Sequence, residues 1–246
     1  MEKILTKGKA FVDEFGRERI FNGINIVDKG KPTNGVREYA YSWEDDRIKR
    51  LKALGINLVR LGFTWDVIEP QPGKYNEKYI DFLSKTLDEL HENGIYAFLD
   101  LHQDLYSGSK GGVGDGAPAW ATLTDGYEFK DQRFVWAEGY FWGKAVHRSF
   151  DNFWNNTKVG GKGLQDYYAD MIKHLTERLG NKPALLGIDF LNEPFPGSVS
   201  NQVIKSLLSS AVKVAFTSRN ISRTKLLGDL IIKDRHKYIL DNFNAR

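Results

Sequence analysis

Short apolar runs alternate with helical stripes along most of this chain, and that alternation leaves few folds open. Residues 56–63 (INLVRLGF), 95–101 (IYAFLDL) and 184–191 (ALLGIDFL) read as strands. Residues 10–26 read as a hairpin with its bend at Gly16, its second arm running on as a first strand through Ile24 and Ile26. Between the strands lie helical stripes. Ile48, Leu51 and Leu54 follow Ser42, read as an N-cap with acids in the first turn, and Gly55 ends the helix. Ile80, Leu83, Leu87 and Leu90 follow the cap Asn76 and stop at Gly94, and Leu164, Tyr168, Met171, Leu175 and Leu179 stop at Gly180. Val203, Leu207, Ala211 and Val214 suggest a further helix, and residues 225–232 a fifth strand. Strands separated by helices imply a parallel sheet with right-handed crossovers. The strands read as apolar on both faces, as buried parallel strands are. A (β/α) barrel of the TIM type and a doubly wound open sheet both fit. No GxGxxG or GxxxxGKS fingerprint joins a strand to its helix, which favours the barrel.

Composition removes several classes of function. The 246 residues carry a formal net charge of +3, too small to argue for nucleic acid. There is no cysteine, so there is no disulfide framework, cysteine nucleophile or thiolate metal site. The first nine residues hold no apolar core of signal-peptide length, and no apolar run is long enough to span a bilayer. The charge is uneven: from Ser200 onward nine Lys or Arg face three Asp, a balance of +6 that leaves −3 for residues 1–199.

The polar residues fall where such folds keep their chemistry, at the C-terminal ends of the strands. The first strand leads to Asn25, Asp28 and Lys29; the second holds Arg60; the third ends in Asp100-Leu101-His102-Gln103-Asp104. The fourth stops at Asn192-Glu193, where Pro194 and Pro196 forbid its continuation. An arginine inside an apolar strand needs a carboxylate or a ligand oxygen beside it. Taken singly these positions are also those of a polar turn, a structural ion pair and a core histidine. Between the third strand and the 164–179 helix, residues 103–163 read as a long irregular segment with Trp120, Trp136, Trp142 and Trp154. Loops of that length inside a domain are usually functional, and the aromatic content argues against disorder.

Val59-Arg60-Leu61, the DLHQD of residues 100–104 and the FLNEP of residues 190–194 resemble the second, third and fourth strand ends of glycoside hydrolase family five, the cellulase-like clan of retaining β-glycosidases. LHQDLYS (101–107), GDGAPAWAT (114–122) and SFDNFWN (149–155) are similar to the endoglycoceramidase branch and its glucocerebrosidase-like and steryl-glucosidase-like relatives. The resemblance covers roughly residues 10–197 of one partial barrel domain, and residues 198–246 form a divergent basic tail. It implies hydrolysis of O-glycosyl bonds in glycosphingolipids or related β-glucosyl lipids, without cofactor or metal. It implies Glu193 as general acid/base, Asn192 on the sugar 2-hydroxyl, Arg60 as a brace for the active-site carboxylates, and His102 and Asp104 on the first sugar, with Lys29 and Trp120 completing the substrate-binding set. Members of this kind include secreted and intracellular proteins.

Such chemistry needs one carboxyl that protonates the departing oxygen and a second about 5–5.5 Å away as nucleophile. The family's nucleophile is a glutamate at the end of the seventh strand. No Glu follows Glu193, and upstream only the loop residues Glu69 and Glu138 offer themselves, with nothing to favour either. The expectation is therefore the N-terminal part of a barrel, about five of eight strands, whose open edges invite self-association. Three readings stand at this point: a glycolipid glycosidase, an inactive fragment that still binds glycolipid or a partner chain, and an α/β binding protein of other ancestry.

Overall fold

The computed structural model describes residues 1–33, 36–44, 46–130, 135–202, 206 and 209. Four parallel strands form its central sheet: β1 (Gly23–Asp28), β2 (Leu58–Thr64), β3 (Tyr96–His102) and β4 (Leu185–Asp189). They lie side by side in sequence order, β1-β2-β3-β4. A doubly wound sheet reverses its strand order part-way, whereas a (β/α) barrel adds each strand next to the last. The order is that of a partial TIM-type barrel. The fifth strand and the last helix expected from the sequence lie outside the described residues.

Helix α1 (Arg47–Ala53) links β1 to β2, and α2 (Glu77–Glu92) links β2 to β3. The connection to β4 carries α3 (Lys144–Trp154) and α4 (Leu164–Leu179). Asn76 caps α2 as its sequence suggests, accepting a 3.2 Å hydrogen bond from the Tyr79 amide. Ser42 does not cap α1. That helix begins only after Asp46, and no side chain bonds its first turn. The expected hairpin forms with its bend at Gly16: Val12 lies opposite Glu18, and the Arg19 amide donates to the Phe11 carbonyl; residues 10–13 pair in addition with Ile4–Lys7. The segment read as irregular contains α3, whose buried Val146, Phe150 and Phe153 repeat at helical spacing.

The strands are not apolar on both faces. Val59, Leu61 and Phe63 of β2, with Ala97, Leu99 and Leu101 of β3, point outward and are buried. They pack with Ile80, Leu83, Leu87 and Leu90 of α2 and with Met171 and Leu175 of α4 in one core. The alternate residues face the barrel interior and are Arg60, Gly62 and Thr64 on β2 and Phe98, Asp100 and His102 on β3. Strand β1 opposes Asn25 to Arg60 and Val27 to Gly62. Strand β4 opposes Asp189 to Asp100. On β2 and β3 the pleat thus sends apolar side chains to the helices and brings Arg60, Asp100 and His102, beside Phe98, to a shared interior.

Gly62 is fixed by its neighbours. A Cβ there would lie 2.8 Å from Asp100 Oδ2 and 2.9 Å from Val27 Cγ2. At Gly187 of β4 a Cβ would meet nothing within 4 Å. Urea unfolding should find Gly62→Ala destabilised by about 1–3 kcal/mol, the usual cost of overpacking, and Gly187→Ala within about 0.5 kcal/mol of the parent.

Candidate active site

Arg60 joins all four strands. Its Nη1 donates to Asp100 Oδ2 at 2.8 Å and to Asn25 Oδ1 at 3.3 Å. Its Nη2 donates to Asp189 Oδ2 at 2.7 Å and to Asn192 Oδ1 at 3.0 Å. A planar guanidinium presents its donors as a rigid fork, so four acceptors on three other strands or strand ends hold it in one orientation. The expectation that this arginine needs acidic partners is met by Asp100, fully buried, and by Asp189.

From Asp100 the charge network runs along the rim. His102 Nδ1 lies 2.9 Å from Asp100 Oδ2, and its Nε2 lies 3.6 Å from Asp104 Oδ2. Burial disfavours the imidazolium, but the hydrogen bond to Asp100 and the nearby Asp104 carboxylate outweigh it and raise the pKa to about 9. Lys29, at the end of β1, reaches across to Asp104 and stands 3.6 Å from Asp115. Asp104 is held below the usual carboxylate range, since burial, which would raise it, is outweighed by the nearby His102 and the bond to Lys29. Asp115 comes from the loop after β3, which folds back so that the Asp104 and Asp115 backbones pair. His102, Asp104 and Asp115 bring ligand-type atoms within 4.8 Å of one another, a grouping their sequence spacing does not reveal. The Lys29 ammonium lies against both carboxylates of that group.

Asn192 and Glu193 follow β4 on the same rim. The Asn192 amide N–H donates to the Leu101 carbonyl at 3.0 Å, and its side-chain Nδ2 donates to the Gln103 carbonyl at 3.1 Å. Glu193 is exposed and has a left-handed backbone, φ +45°. The Gln103 side chain donates to the carbonyls of both residues.

The structure therefore brings together Lys29, Arg60, His102, Asp104, Asn192 and Glu193. Trp120 is placed elsewhere. Its indole N–H donates to the Glu69 carbonyl at 3.1 Å, and its ring packs edge-on against Trp65 and Tyr167, in the local aromatic core beneath the long segment. Glu69 is fully buried, with its oxygens accepting from Trp65 Nε1 and the Gly73 amide. Glu138 opens a short helix and accepts from the Val135 amide. Asp189, Asp115 and Gln103 were missed as site residues. Asp189 had a readable signal: it sits within an apolar strand, two residues before its C-terminal break.

A family model described as cellulase (glycosyl hydrolase family 5) matches residues 22–227. The chain belongs to glycosyl hydrolase family 5. Among its relatives within the family are an endoglycoceramidase of Cyanea nozakii, 34% identical over 213 residues, and endoglycoceramidase I of Rhodococcus hoagii (strain 103S), 34% identical over 191 residues. The aligned parts are 76% and 78% of this chain but 41% and 37% of those proteins, so the chain spans about two fifths of the relatives' length. Endo-glycoceramidase II from Rhodococcus sp., solved in complex with ganglioside GM3, superposes with a TM-score of 0.66 at 33% identity, over 78% of this chain and 44% of that one. Among the described residues no helix is long and apolar enough to cross a membrane.

The His102 geometry predicts how stability depends on pH. A histidine whose folded pKa exceeds its unfolded value holds its proton more tightly in the native state. Its contribution is complete below about pH 6.5 and disappears as pH climbs through about 9. The melting temperature should fall across that window, and His102→Asn should flatten the fall.

Proposed function

We propose that this chain carries the acid/base side of a retaining β-glycosidase site that takes β-glucosyl lipids. One observation supports this above the others. The Arg60 guanidinium ties Asp100 and Asp189 to the amide of Asn192, so Glu193 leaves the same rim that displays His102, Asp104 and Lys29. In this reading the Glu193 carboxyl gives its proton to the departing glycosidic oxygen. His102, Asp104 and Lys29 form a row of charged donors and acceptors suited to sugar hydroxyls, and Asn192 faces the reacting ring. The lipid part of the substrate is suggested by the names of the relatives, several of which are ceramide-glycoside hydrolases.

Covalent retention also needs a carboxylate nucleophile about 5–5.5 Å from the acid. Glu193 is the last glutamate of the sequence. Glu69 is buried in hydrogen bonds to Trp65 and Gly73, which does not fit it for attack on a sugar. This favours the second reading for the 246 residues by themselves, in which sugar recognition and the proton donor are present and the nucleophile is not.

Octyl β-glucoside and glucosylceramide in detergent test both readings. At ten times Kd a bound glucoside stabilises by about 1.4 kcal/mol, a melting shift of a few degrees. The shift should survive Glu193→Gln and disappear in Asp104→Ala. Glucose release abolished by Glu193→Gln would support the complete enzyme. The absence of both a melting shift and glucose release would overturn the proposal.

A further inference from the structure

Glu193 is one of three residues around a single side chain that have left-handed backbones without being glycine. Leu105 has φ +54°, Tyr106 φ +72° and Glu193 φ +45°. For an L-residue that conformation costs about 1–2 kcal/mol, and it persists only where the surroundings over-determine it. The shared neighbour is Gln103, which is 3% exposed. Its Nε2 donates to the carbonyls of Asn192 at 2.9 Å and Glu193 at 3.0 Å. Its Oε1 accepts from the Tyr106 amide at 2.8 Å. Its own carbonyl accepts from Asn192 Nδ2 at 3.1 Å. The Tyr140 hydroxyl, 3.3–3.4 Å from both ends of the amide, also accepts from the Leu105 amide at 2.9 Å.

One carboxamide therefore fixes two strained turns against each other, the turn after β3 and the turn after β4. The Tyr106 amide at Oε1 decides which end of the carboxamide faces which turn, and leaves both Nε2 hydrogens for the Asn192 and Glu193 carbonyls. A glutamate in its place has no hydrogen to give when ionised and only one when protonated, so it cannot serve both carbonyls. The Asn192–Glu193 peptide has no regular ladder partner, since β4 ends at Asp189. Its two carbonyls would otherwise lack these partners, and an exposed glutamate with no anchor to its backbone would relax to the right-handed or extended region.

We propose that Gln103, with Tyr140 behind it, is a positioning residue that clamps the Glu193 peptide in its left-handed conformation and so aims the carboxyl. The aim matters only on the reading of Glu193 as the acid/base, but the clamp itself is testable without that reading.

A double-mutant cycle on the full chain separates the two. In the parent, Glu193→Gly relieves the strain and Glu193→Ala does not, so the glycine variant should melt roughly 2–4 °C above the alanine variant. In a Gln103→Glu background, which keeps shape and drops the donors, that gap should shrink to under about 1 °C. Tyr140→Phe gives a milder version should Gln103→Glu fail to fold, with the gap about halved. A side chain that merely supports the fold would lower both melting temperatures equally and leave the gap intact, which would overturn the proposal. A second readout is the Glu193 amide cross-peak in ¹⁵N–¹H spectra. It should be single in the parent and broadened or split in Gln103→Glu, while the Arg60 Nε–Hε peak stays in place; an unmoved Glu193 peak would equally contradict the clamp. Loss of the gap together with absent glucoside binding would uphold the clamp and reject the acid/base reading.

Discussion

One half-buried guanidinium holds the interior of this structure together. Arg60 extends from the middle of β2 and takes acceptors from Asn25 on β1, Asp100 on β3, Asp189 on β4 and Asn192 beyond it. Without those carboxylates the arginine would be a charge facing a low-dielectric wall, and without the arginine the fully buried Asp100 would keep only His102 as a counter-charge. Each side of the arrangement requires the other. The requirement reaches into the backbone, because Asp100 needs the space that Gly62 leaves.

That network is affordable because the other face of β2 and β3 is apolar. Val59, Leu61, Phe63, Ala97, Leu99 and Leu101 are almost wholly buried beneath α2 and α4, and at about 25 cal/mol per Å² such burial dominates the stability of the unit. The division of labour follows from the two-residue period of a strand. Successive residues serve stability and chemistry in turn, so the residues that bear charge are held by neighbours that never meet solvent. The C-terminal turns then carry His102, Asp104 and Glu193 out of this rigid sheet, where a ligand can reach them.

Much of this was legible in the sequence, for physical reasons. The outward residues of β2 and β3 are regular apolar runs and the stripes of α2 and α4 are long and ended by glycine, so the positions of these strands and helices follow. Arg60 stands out as a charge inside an apolar run, and His102, Asp104, Asn192 and Glu193 because polar residues interrupt apolar runs at their C-terminal ends. Other features have no local signature. The pairing of Asp115 with Lys29 depends on a loop folding back on itself. Gln103 reads as one polar residue among several, and its bonds become visible only once the turn after β4 is laid beside it. Trp120 shows the converse: an aromatic in a long segment suits sugar stacking and core packing equally by sequence, and the structure puts it against Trp65 and Tyr167. Helix α3 was hidden because its three core residues are separated by His, Arg, Asp and Asn.

The central claim is that the four strand ends converge on one sugar site with Glu193 as its proton donor. A crystal structure of the chain with a glucose-configured imidazole inhibitor tests it most directly. The claim predicts the imidazole nitrogen within hydrogen-bond distance of the Glu193 carboxyl, with the sugar hydroxyls on His102, Asp104 and Lys29. An inhibitor bound away from the Arg60 network, with Glu193 left in solvent, would contradict it.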